Sequence, residues 1–148
     1  MPQWKIIQPN TPEHWSTYYD LRFKVLRQAW HQPLGSEKAD DDAQSLHGMI
    51  LDENGKALAV ARIHQVSDHQ AQIRFMAVHP DYQGKGLGKA VLQFVELLGK
   101  KNYPDITEFC LQARENAVSF YSSNNYFIEA KTFLLFGEIQ HYLMVKKI

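Results

Sequence analysis

The stretch VHPDYQGKGLGK, residues 78–89, sits between an apolar run that reads as a strand and an apolar-periodic run that reads as a helix. Glycines at every second position (Gly84, Gly86, Gly88) remove side chains where backbone N–H groups can converge, and the following helix adds a positive N-terminal dipole. Such a turn suits a phosphate. Spacing narrows the choice. A Walker loop requires Gly at 83 and Ser or Thr at 90, where this chain has Gln83 and Ala90. A dinucleotide fingerprint starting at Gly84 requires glycine at 89, where Lys89 stands. Gln-x-x-Gly-x-Gly remains, filled by Gln83, Gly86 and Gly88.

Outward from this turn, the pattern predicts one mixed α/β domain over residues 1–148. A strand is expected at 4–8, then a helix from Thr11-Pro12 to about Trp30. Its stripe, Trp15, Tyr18, Tyr19, Arg22, Val25, Leu26 and Ala29, holds one arginine, which either snorkels or faces a polar cleft. Residues 31–43 read as a loop, with Asp40-Asp41-Asp42 as a solvated acidic turn. Strands at 46–52 and 57–66 flank Asn54-Gly55, a hairpin signal because both positions tolerate positive φ. A third strand at 71–78 completes a meander. The helix from Leu87 to about Gly99 buries Leu87, Val91, Phe94, Val95 and Leu98. A strand (106–112), a short helix (116–123) and two strands (127–136 and 141–147) follow, giving a mixed sheet flanked by helices.

Composition excludes several functions. The 148 residues carry 16 basic and 16 acidic side chains, so no global field favours nucleic acid as the main partner. The lone cysteine, Cys110, excludes an intrachain disulfide and a multi-thiolate zinc site; in its apolar strand it reads as core. The 7 histidines show no H-E-x-x-H spacing, so no metal site is expected. No apolar run approaches the roughly 18–20 residues of a membrane span, and the start, Met1-Pro2-Gln3-Trp4-Lys5, lacks a leader's apolar stretch. A cytoplasmic protein with no membrane partner is expected.

The loop resembles the acetyl-CoA pyrophosphate loop of the GNAT (Gcn5-related N-acetyltransferase) superfamily. Ala117-Val118-Ser119-Phe120-Tyr121, followed by Tyr126, resembles the later family segment A-x-x-F-Y-x-x-x-G-F. Leu21-Arg22, Leu26-Arg27, Gln32-Pro33, Gly35-Ser36-Glu37, residues 73–80, Ala113-Arg114-Glu115 and His141-Tyr142-Leu143-Met144 are similar to the GNAT half of bacterial fusion proteins with a hot-dog thioesterase domain. The sequence ends at Ile148 within that half, so no thioesterase chemistry is expected of these residues. The resemblance implies a GNAT fold with six to seven strands and acetyl-CoA as co-substrate. It implies that backbone groups of Gln83, Gly84, Lys85, Gly86, Leu87, Gly88 and Lys89 meet the pyrophosphate. It also implies that the pantetheine arm runs along Met76, Ala77 and Val78, with an N–H near Ala77 on the thioester oxygen.

The resemblance makes Tyr121 the candidate general acid, against the alternative of an aromatic packing the core. The general base is open among Glu37, in the loop expected to border the acceptor cleft, His141 and His64. Arg62 and His64 share one strand face, with Arg74 on the matching face of the next strand. Three departures stand out. Arg114 occupies the place of a common cofactor-holding Asn, and its pairing with a CoA phosphate, an acidic substrate or a surface carboxylate stays open. Asn125 replaces a glycine but tolerates a left-handed turn. Gln83 replaces a commoner arginine. The implied activity is acetyl transfer to an amine, small-molecule or protein, in a ternary complex. The competing readings are a catalytically silent acyl-CoA-binding sensor or partner module, and recognition of an acidic or acylated protein surface through Arg22, Arg62 and Arg114. Oligomeric state is open, a homodimer being common among such folds.

Overall fold

In a computed structural model describing residues 3–148, Thr11 opens the first helix by accepting a hydrogen bond from His14 N–H, with Pro12 at the first helical position. Met1 and Pro2, the first residues of the stretch read for a leader, lie outside the described residues. The order is β1 (Trp4–Ile7), α1 (Pro12–Leu26), β2 (Leu46–Asp52), β3 (Ala57–Gln65), β4 (Gln70–Val78), α2 (Leu87–Asn102), β5 (Glu108–Arg114), α3 (Val118–Ser122), β6 (Phe127–Leu135) and β7 (Ile139–Lys147). The strands form one 7-stranded sheet, β1-β2-β3-β4-β5-β7-β6. Only β4 and β5 run parallel; the other neighbours are antiparallel.

Strands β2–β4 are covered on both faces because their alternating side chains supply two apolar surfaces, whereas the edge strand β6 is exposed. Val91, Leu92 and Val95 of α2 pack on Ile63, Phe109, Leu111 and Met144. Tyr18, Leu21 and Leu26 of α1 pack on Met49, Val60 and Ala77. The hairpin at Asn54-Gly55 forms, but only Gly55 takes positive φ (+78°), so the turn is right-handed through Asn54 and closes on a left-handed glycine. Asn125 does adopt the left-handed conformation, φ +74°. Helix α1 stops at Leu26, short of the expected Trp30, because Arg27 leaves helical geometry and donates from Nε to Ser36 O (3.0 Å).

The α1 face decides between the two readings of Arg22 and overturns the expectation of a solvated acidic turn. Arg22 does not snorkel; it is fully enclosed, and the acidic turn is not solvated at Asp42. Asp42 Oδ2 accepts from Arg22 (2.9 Å), Tyr19 Oη (2.9 Å) and Ala39 N–H (3.0 Å), while Oδ1 accepts from Arg62 (2.9 Å). Asp41 takes the second corner of Arg62, and only Asp40 stays exposed. His47 closes the cluster: its Nε2 donates to Asp42 O (2.8 Å), which leaves Nδ1 to accept from Tyr18 Oη (2.7 Å). Burial holds His47 below its ordinary pKa and keeps it neutral.

Burial alone pushes the Asp42 carboxyl up, but the Ala39 amide and the two guanidiniums together hold it well below the usual carboxylate range. The unfolded chain therefore binds this proton first, and Asp42 contributes stability above the unfolded pKa that is lost as pH falls. Asp42→Asn leaves two buried guanidiniums without their counter-charge and is expected to destabilise the fold by about 3–5 kcal/mol at pH 7 in urea unfolding. The gap between the two proteins should be full above about pH 5 and narrow below it. Equal unfolding midpoints at pH 7 would refute the role given to Asp42.

Candidate active site

Parallel pairing of β4 with β5 runs from Gln70↔Glu108 to Ile73↔Leu111 and stops there, although both strands continue. The strands diverge next to a bulge, where β4 slips against β3 between Val60 and Arg62 and Phe75 takes φ +55°. A bulky residue in that conformation is strained. Its ring lies beneath the guanidiniums of Arg22 (4.1 Å), Arg74 (4.6 Å), Arg62 (5.2 Å) and Arg27 (5.5 Å). Each such contact is worth about 0.5–2 kcal/mol, together enough to hold the residue there.

The divergence opens a cavity of about 920 Å³. His79 N–H donates to Leu58 O (2.8 Å) and Val60 faces Ala77, so the backbone of Ala77 turns towards β3. Alternation then turns the backbone groups of Met76 and Val78 towards the side that β5 has left. The N–H groups along this edge are those of Met76 and Val78, the two neighbours of Ala77.

At one end of the cavity stands the glycine loop. Gly86, φ +86°, is the N-cap of α2 and no side chain caps this helix, so its first N–H groups are open to an anion. A Cβ at Gly88 would lie 3.3 Å from the Phe120 ring, so α2 and α3 close together there. Gln83, Gly84, Gly86, Gly88 and Lys89 line the cavity; Leu87 is buried in the core, and Lys85 lies over the Tyr82 ring (5.3 Å).

Towards the middle, Tyr121 points its Oη at Met76 Sδ (3.6 Å). Burial pushes its phenol up to about 12, opposed by the positive charge of Arg114, so it is fully protonated near neutrality. His141, opposite Arg114 in the β5–β7 register, also lines the cavity. Its ring stacks on Phe133 (4.6 Å), and Nδ1 donates to Ile139 O (2.9 Å), which leaves Nε2 carrying the lone pair. Burial, reinforced by Arg114, holds its pKa below the ordinary value.

The other base candidates lie elsewhere. Glu37 is buried, accepts from Gly35 N–H (2.8 Å) and does not line the cavity. His64 Nδ1 accepts from Arg62 (3.2 Å) in the Asp41 cluster. Cys110 is buried, and its thiol is pushed up to about 11 by burial, in keeping with core packing. Among the described residues no cluster of His, Cys, Asp or Glu has the arrangement of a metal site, and no helix is long and apolar enough to cross a membrane. Arg27, Arg74, Gln112 and Asn116 also line the cavity, though the loop and helix motifs pointed to none of them.

A family model described as "Acetyltransferase (GNAT) family" matches residues 5–126, and the chain belongs to that family. It is 36% identical over 70 residues to an uncharacterized N-acetyltransferase, ycf52, of the red alga Pyropia yezoensis, covering 47% of this chain and 39% of that protein. With the ycf52 protein of Gracilaria tenuistipitata var. liui it shares 30% over 93 residues, 61% of this chain and 50% of the relative. The match thus spans half or less of these relatives.

Among solved structures, Escherichia coli ElaA is similar in fold (TM-score 0.80, 19% identity, 99% of each chain). So is the E. coli ribosomal-protein-S18-alanine N-acetyltransferase (TM-score 0.70, 21% identity, 99% of this chain and 94% of that one). An acyl-CoA N-acyltransferase from Pseudomonas aeruginosa gives TM-score 0.76 at 19% identity over 99% of each chain.

The fold uses the Tyr121 hydroxyl for nothing beyond a weak contact with sulfur. Tyr121→Phe should therefore leave stability within about 0.5 kcal/mol of the parent in thermal unfolding. A loss of several kcal/mol would mark this hydroxyl as structural.

Proposed function

We propose that this chain is an acetyl-CoA-dependent N-acetyltransferase that moves acetyl onto an amine by direct attack, with both substrates held in one cavity. The observation that carries the reading is the divergence of β4 from β5 after Ile73 and Leu111, which joins an uncapped helix N-terminus to Tyr121 and His141 in one space. The residues fit acetyl-CoA. The open N–H groups at the start of α2 suit a diphosphate, and the unpaired backbone of Met76 and Val78 suits an amide-bearing arm that pairs like an added strand.

Bound acetyl-CoA supplies an activated thioester. The backbone N–H of Met76 or Val78 stabilises negative charge on the thioester oxygen as the amine nitrogen forms its bond to carbon. His141 Nε2, neutral and free to accept, takes the proton the amine must lose. Tyr121, held protonated by burial, donates to the sulfur as the C–S bond breaks, so that CoA leaves as thiol. Binding both substrates before reaction removes the need for a covalent acyl-enzyme, in agreement with a buried, protonated Cys110.

CoA at one hundred times its Kd should stabilise the protein by about 2.7 kcal/mol, raising Tm by roughly 5–10 °C. Gly86→Glu should remove this shift by placing a side chain at positive φ and a negative charge at the anion-binding helix end. Absence of any CoA-dependent shift in the parent protein would refute the reading.

With an amine acceptor and free-thiol detection, Tyr121→Phe should lower kcat by about 10²–10⁴-fold while the CoA shift persists. A silent binding module would show the shift and no turnover in either protein. Because His141 must be neutral to act and burial holds its pKa below the ordinary value, kcat at saturating acceptor should fall on the acid side only below the ordinary histidine range, and His141→Gln should abolish that acidic limb.

A further inference from the structure

Three guanidiniums line the cavity away from the glycine loop, and each comes from a different element: Arg27 from the end of α1, Arg74 from β4 and Arg114 from the end of β5. Among the described residues none of them has a carboxylate within ion-pairing distance. Among the described residues Arg27 donates only to the carbonyls of Leu26 and Ser36, and Arg74 and Arg114 find no hydrogen-bond acceptor. Of the acids whose charge reaches these arginines, Asp41 and Asp42 are committed to Arg62 and Arg22, and Glu37, which acts on Arg27 from beyond ion-pairing distance, accepts from Gly35 N–H. Arg27 and Arg114 are half-buried and Arg74 is exposed, and desolvation together with neighbouring arginines holds Arg27 and Arg74 below their ordinary range. Unpaired positive charge gathered in a partly dry cavity is costly unless an anion arrives to meet it.

Position separates this charge from the cofactor's phosphates. Arg74 lies four residues before Val78, about 13 Å along the strand from the start of the glycine loop. Arg114 instead stands opposite His141 in register. An anion there sits beside the base that receives the amine.

We propose, resting on the acetyltransferase reading, that the acceptor is an amine bearing a carboxylate close to its amino group, clamped through that carboxylate by Arg27, Arg74 and Arg114. A guanidinium presents paired donors that match a carboxylate, whereas an all-cationic acceptor such as a polyamine meets repulsion at this end.

The test compares amines that differ only in the carboxylate: tyrosine against tyramine, phenylalanine against phenethylamine, and lysine against cadaverine, each followed by free-thiol release. The carboxylated members should be preferred in kcat/KM by about 10- to 100-fold. Arg74→Gln should collapse this ratio towards one, mainly through KM of the carboxylated amine, and Arg74→Lys should restore part of it. CoA-dependent thermal stabilisation should persist in both variants, which reports a folded protein with an intact cofactor site.

Preference for the decarboxylated members, or no turnover of any carboxylated one, would overturn the proposal while leaving the acetyltransferase reading standing as long as the CoA shift is seen. Loss of the CoA shift in Arg74→Gln with an unchanged acceptor ratio would assign the arginines to a cofactor phosphate and overturn it as well. Absence of the shift in the parent protein would instead fail the acetyltransferase reading itself.

Discussion

One left-handed residue in the middle of a strand governs this molecule. Phe75 at φ +55° inserts a bulge into β4, and the parallel ladder to β5 ends just before it. The left-handed conformation costs roughly 1–2 kcal/mol for an L-residue. Four guanidiniums around the ring offset it, the closest being Arg22 at 4.1 Å. The two that are fully buried, Arg22 and Arg62, are tolerable inside the protein because Asp42 neutralises Arg22 and shares Arg62 with Asp41. A buried carboxylate in one loop thus sustains a cleft on the other side of a strand.

The same arrangement explains the uneven charge of the cavity. Asp41 and Asp42 are consumed by the two arginines that lie deepest, and among the described residues no carboxylate forms an ion pair with Arg27, Arg74 or Arg114. At the opposite end positive potential comes from the backbone, through the uncapped start of α2. The cavity therefore has two anion-favouring ends of different construction, with the Tyr121 phenol and the His141 imidazole between the chemistry each would serve.

Much of this was legible in the residue order. The two long helices, expected to about 30 and 99 and ending at 26 and 102, and the meander followed from periodicity, and the glycine spacing marked the loop at the head of α2. What escaped has a common cause. Asp42 looked solvated because it sits among three consecutive acids in a loop with proline and glycine, while its partners lie about 20 residues away on either side in sequence. Phe75 continues an apolar run in which nothing local signals a bulge. Arg114 stood out with an acidic substrate among its possible partners, but Arg27 and Arg74 join it in one cavity only because α1, β4 and β5 converge, which no sequence spacing announces. Glu37 was singled out from a loop placed correctly, yet its carboxylate closes on its own turn at Gly35.

The most direct measurement is residue-resolved amide hydrogen exchange with and without CoA. Unpaired amides on the open edge of β4 exchange rapidly in the free protein, and the account predicts that CoA slows exchange at Met76, Val78 and the first residues of α2 while Ala77, bonded towards β3, stays protected throughout. Unchanged exchange at Met76 and Val78 on saturation with CoA, or protection confined to another strand edge, would contradict it.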